Sequence, residues 1–101
     1  MDESVQKHLT PAIDEASKLL LKAADYIEAN GLCQGSAADG NRLCTIRAIH
    51  AMNGGKSFWG TTAEKAYHRL RDRVGLVSHW SDSTPQSEVV AKLRAVALSG
   101  R

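Results

Sequence analysis

Apolar residues in this chain recur at alternating three- and four-residue steps, and no convincing two-residue alternation accompanies them. That periodicity admits a core built from helices and offers no pattern from which to build a sheet. Ala16, Leu20, Ala23 and Ile27, continued back to Ile13 and widened by Ala12 and Leu19, form the first stripe. Thr10 followed by Pro11 reads as its start, because the hydroxyl satisfies an orphan amide and proline's missing donor costs nothing at the first helical position. Asp14 and Lys18 fall four apart on the wet side, and Asn30-Gly31 supplies the left-handed residue that ends many helices.

Three more stripes follow. A shorter helix is expected over Asn41–Met52, with Leu43, Ile46, Ile49 and Met52 near one side and "NGG" as its stop. The connection before it, Leu32 to Gly40, is small and polar and ends in turn-forming "ADG". "TTAE" at Thr61–Glu64 is a capping-box pattern, in which the Thr61 hydroxyl caps the Glu64 amide and the Glu64 carboxylate reaches back to the cap residue's amide. The helix it opens carries Ala63, Ala66, Tyr67, Leu70 and Val74 and closes at Gly75. Thr84-Pro85 repeats the first start signal ahead of Val89, Val90, Leu93, Val96 and Ala97. Between these, "LVSHW" is too short to assign; Trp80 belongs with the core, and Asp82 or Ser83 would help cap the helix that follows.

The expectation is an all-α, compact single domain of four main helices with irregular loops over residues 10–98, preceded by a flexible N-terminus over residues 1–9. A chain of 101 residues can bury roughly two-thirds of its unfolded surface, enough for one core. Its first ten residues are polar and its longest apolar run is "LLL" at Leu19–Leu21, so neither a secretory leader nor a membrane span is expected. The expected compartment is the cytoplasm, where two cysteines stay reduced.

The stretch from Asn30 to Gly55 holds both cysteines, and three chemistries bear on it. Zinc wants about four ligands, commonly from close pairs, whereas Cys33 and Cys44 have ten residues between them with no CxxC or HxxxH, so a site would need distant His50 or His79 as well. A thiolate nucleophile finds its best argument in Cys44, in the first turn of the expected helix, where the partial positive charge favours ionisation. His50, however, lies about 240° around that helix, so a base would have to come from His68 or His79. A Cys33–Cys44 disulfide would stabilise by about 2 to 3 kcal/mol, but a reducing compartment opposes it. Both cysteines are read as small buried apolar side chains, with no metal and no cofactor expected. "GGKS" at Gly54–Ser57 is only the tail of a phosphate-binding loop, without the first glycine or a preceding strand.

Two surfaces remain as binding candidates. Phe58 and Trp59 sit side by side in a glycine-flanked loop, and adjacent side chains of an extended chain point oppositely. Either one ring stays exposed as an interface anchor, or both fold under the loop and cover helix ends. Lys65, Arg69 and Arg73 recur every four residues on the third helix with Arg71 nearby, either a phosphate-reading face or a solvated face laced with ion pairs. Net charge is only +2, but residues 1–40 hold three lysines against seven acids and residues 41–101 hold ten basic groups against four. An acidic helix packed beside basic ones, or two surfaces meant for different partners, would explain that asymmetry, the first more simply.

"AADYIEANGLCQG", "GNRLCTIRAIHAMNGG" and "HWSDSTPQSEVVAKLRAVA" together resemble a family of small actinobacterial and actinobacteriophage proteins of unknown function. Members show an aromatic before the first cysteine, where this chain has Leu32, and tryptophan-asparagine-aspartate where it has Trp80, Ser81 and Asp82. The resemblance implies a provenance and not a mechanism. With no complete catalytic set, the leading expectation is a non-enzymatic helical module, phage-borne or phage-derived, that binds a host protein or forms a homo-oligomer through Phe58 and Trp59. The alternatives are a DNA-binding accessory protein using Lys65, Arg69, Arg71 and Arg73, and a cysteine- or metal-dependent enzyme centred on Cys44.

Overall fold

The structure, a computed structural model, describes residues 14–35, 38–54 and 57–99. These form five helices and a two-stranded hairpin: α1 (Glu15–Asn30), β1 (Ala38–Asp39), β2 (Arg42–Leu43), α2 (Thr45–Ala51), α3 (Thr62–Val74), α4 (Val77–Ser83) and α5 (Gln86–Ser99). The chain is predominantly helical, as the periodicity requires, but "LVSHW" adds a fifth helix to the expected four. The expected flexible N-terminus, the Thr10-Pro11 signal, and Ala12 and Ile13 of the first stripe lie outside the described residues.

Helix α1 begins later than the stripe suggests. Asp14 is extended and serves as its cap, accepting the Ser17 amide at 2.9 Å. A residue expected on the helix's wet side is thus its first polar anchor, and Lys18 pairs with Glu15 instead. Gly31 ends the helix as expected, with φ +98° and its amide donating to the Ile27 carbonyl at 2.8 Å.

The second helix departs most from expectation. Asp39 and Arg42 pair across Gly40 and Asn41, so the chain makes a hairpin where a helical turn was expected. Only Gly40 of the two loop residues has positive φ, the signature of a type II′ turn, whose twist matches its strands. Arg42 and Leu43 are consequently extended, and α2 starts at Thr45 with Cys44 as its cap. Leu43 is then available as a tie: it opposes Ala38, bridges Leu32 in parallel and accepts the Cys33 amide at 3.1 Å.

At α3 the cap is displaced by one residue from the capping box. The Thr61 hydroxyl accepts from the Ala63 amide at 3.3 Å, and the Glu64 carboxylate takes the Gly60 amide at 2.7 Å. The Glu64 amide goes to the Thr61 backbone carbonyl instead. Neither Asp82 nor Ser83 caps α5: Asp82 accepts the Gly35 amide and Ser83 donates back to the His79 carbonyl. The Pro85 carbonyl accepts the Val89 amide, while that of Thr84 is taken by Gln34, so α5 starts one residue past its signal.

Helix α1 is central, packing most extensively on α5 and also on α2 and α3. The buried face expected from sequence is the one observed: Leu19, Leu20, Ala23 and Ile27 meet Ile49, Leu70, Val89 and Leu93 in one interior. Fully burying each of the large aliphatic side chains contributes about 1.5–3 kcal/mol. Alanines at 16, 23, 24, 48, 63, 66 and 97 are also buried, and their small size lets the helices approach closely.

Part of the charge asymmetry is internal. Arg94 of α5 reaches Asp25 and Glu28 of α1 at 2.9 and 2.8 Å, and Arg69 of α3 holds Asp14. Acidic α1 therefore lies between two arginines. Its Tyr26 hydroxyl also donates to the Asn41 carbonyl at 2.6 Å, anchoring the hairpin.

Candidate interaction surface

Helices α2 and α3 each expose one edge to the loop between them. From α2 come Ile46 and Arg47, with His50 about one helical turn beyond them, and from α3 comes Tyr67. The loop lays Phe58 into the gap, where it stacks on His50 (centroids 6.0 Å, planes 16° apart) and meets Tyr67 edge-on at 5.8 Å. Trp59 packs edge-on against Phe58 at 5.0 Å yet remains 66% exposed. These six residues line an open pocket of about 280 Å³. Of the two sequence alternatives for the pair, one ring buried in part and one exposed is the arrangement found.

The loop is held firmly beneath its rings. The Thr61 hydroxyl bonds the Ser57 and Phe58 carbonyls at 2.7 and 2.8 Å, and buried Asn53 donates to Ser57 and to Thr61 Oγ1. One threonine thus caps α3 and closes the aromatic loop. The amide of Gly60 holds the Glu64 carboxyl below its ordinary range, with His68 at 3.3 Å as the second cause.

Sequence reasoning found Phe58 and Trp59 but not the remainder of the pocket. Ile46 and Tyr67 fall on apolar stripes expected in the core, and both are half-buried at its wall. In the sequence His50 stands out only beside Cys44, as a base or a metal ligand. The available signal was the helical spacing of Ile46 and His50, which puts them on one edge of α2.

The basic face divides. Lys65 and Arg71 are exposed, whereas Arg69 donates to Asp14 and Ser17, and Arg73 donates to Ser99 at 2.9 Å. Two of the four nucleic-acid candidates are therefore engaged within the molecule.

Cys33 is buried and Cys44 half-buried, and both are thiols. Cys44 caps a seven-residue helix instead of lying in its first turn, a correction that follows from the hairpin drawing residues 42–43 out of the helix. Among the described residues no group of three or more His, Cys, Asp or Glu side chains is placed to hold a metal ion. What surrounds the cysteines is a set of ties between distant segments. The Leu32 amide donates to Gln86 Oε1, Gln34 Nε2 reaches the Ser81 and Thr84 carbonyls, and buried Thr45 shares a 2.8 Å hydroxyl contact with Ser81. The three stretches that carry the family resemblance therefore meet in space, around the loop 31–35.

Among the described residues no helix is long and apolar enough to cross a membrane. No curated protein and no solved structure matches the chain. A family of unknown function, DUF6197, matches residues 11–98, which takes in the convergent loop and every described helix but for the last residue of α5. The chain belongs to that family.

Proposed function

We propose that this protein is a non-enzymatic helical interaction module, a phage-borne or phage-derived accessory protein of actinobacterial provenance that acts in the host cytoplasm. It engages a host protein, or a second copy of itself, through the Phe58–Trp59 loop. The observation that carries this reading is Trp59, a large aromatic left 66% exposed on a loop that three hydrogen-bonding side chains hold in place. Exposed aromatics on rigid supports make strong anchors, because little conformational entropy is lost when they are covered. Arg69 and Arg73 are engaged internally, which leaves a nucleic-acid role for α3 with Lys65 and Arg71 as its candidates unpaired among the described residues.

The test is affinity capture from an actinobacterial lysate with native protein and with Trp59→Ala, alongside sedimentation analysis of both. A partner or self-association retained by the native chain and lost by the variant supports the reading. A native chain that is monomeric and captures nothing, or captures identically with the variant, removes it.

A further inference from the structure

Resting on that reading of the loop, we infer that the pocket's occupant is an acidic segment of a partner protein that inserts one large apolar side chain. The pocket holds about 280 Å³, just under the range of roughly 300–1,000 Å³ usual for small-molecule and cofactor sites. Its size suits a single side chain. The walls are Ile46, Phe58, Trp59 and Tyr67, an apolar and largely aromatic lining.

Charge identifies what flanks that side chain. The ionisable lining residues apart from the tyrosine are Arg47 and His50, and no carboxylate lines the pocket. Arg47 is exposed and enters no ion pair among the described residues. One helical turn beyond Tyr67 stands Arg71, also exposed. The acid one turn before Tyr67, Glu64, has its carboxylate on the Gly60 amide and His68. An apolar hole rimmed by unengaged guanidinium groups favours an apolar residue with carboxylates beside it. A second copy of this chain fits less well, since its acidic helix already has Asp25 and Glu28 on Arg94.

A displayed library of random linear peptides, selected on the full chain, tests this. Enriched sequences are expected to carry a large apolar residue with aspartate or glutamate next to it, and their binding should weaken as salt is raised. Trp59→Ala should abolish binding, and Arg47→Glu should weaken it about tenfold, with circular dichroism confirming that each variant folds and Arg47→Gln replacing Arg47→Glu if that one does not. Enriched peptides without acids, or affinity unchanged by the Arg47 substitutions, overturn the acidic occupant; if Trp59→Ala still abolishes binding, the docking surface stands. Peptides indifferent to Trp59→Ala, or no enrichment, overturn both.

Discussion

Arg69, midway along α3, grips the carboxylate that caps α1: its Nη1 stands 2.7 Å from Asp14 Oδ1, the oxygen that also accepts the Ser17 amide. One side chain therefore starts a helix and joins it to another. The Arg69 hydrogen bond, followed by the Ser17 amide, holds the Asp14 carboxyl well below the usual carboxylate range.

A depressed carboxyl stabilises the fold fully above its unfolded value and loses that contribution as pH falls toward the folded one. Asp14 should therefore contribute at neutral pH and progressively less below its ordinary 3.8. Asp14→Ala should cost about 0.5–2 kcal/mol at pH 7 through loss of the cap, while the half-exposed pair with Arg69 adds little in water. Thermal melts taken downward from neutral pH should show the gap between native and variant closing in acid. A gap that stays constant would mean the carboxylate's charge is not what stabilises α1.

Thr45 and Ser81 form a buried hydroxyl pair between α2 and α4, and Ser81 Oγ also takes the Thr45 amide. Ser81→Ala strands those groups in a dry interior, which should cost about 1–3 kcal/mol. Adding Thr45→Val should cost less than the sum of the two single changes, because the stranded hydroxyl is removed with it. Urea titration of the four proteins measures the coupling; strict additivity would count against a direct bond.

Gly31 and Gly35 both have positive φ, but only at Gly31 would a Cβ meet another side chain, with Arg42 Cδ at 2.9 Å. Alanine at either position is strained and should cost about 1 kcal/mol or more. Gly31→Ala should be the worse of the two, and Arg42→Ala in the same chain should recover the difference. Equal midpoints for the two glycine variants would show that Arg42 simply swings aside.

Iodoacetamide should modify Cys44, which is half-buried, well before Cys33, which is 5% exposed. Peptide mass mapping over time follows each site, and denaturant should bring both to similar rates. Equal rates in the native protein would mean that the loop 31–35 opens readily despite its ties to Ser81, Thr84 and Gln86.

Of the site, Phe58 and Trp59 were legible because an aromatic pair in a glycine-flanked loop is conspicuous in any chain. Ile46, His50 and Tyr67 were not. Each satisfies the same helical spacing as a core residue, and spacing reports which edge of a helix a side chain occupies without reporting where that edge meets another element.

Most of the core was determined by the sequence alone: the stripes of α1, α3 and α5 supply the buried faces, because apolar residues at helical spacing have one way to leave water together, while Leu32 and Val77 join them from outside any stripe. The glycine stops at 31 and 75 followed equally from local backbone freedom, which needs no neighbours. Tertiary structure decided the rest. Whether residues 42–43 turn as helix or strand depends on what Leu43 can pair with, namely Ala38 and Leu32. Which arginines remain unengaged depends on which acids fold against them, and Asp14 takes Arg69 while Arg47 enters no ion pair among the described residues. Such pairings join residues up to 69 positions apart, and a periodicity confined to one helix carries no information about them.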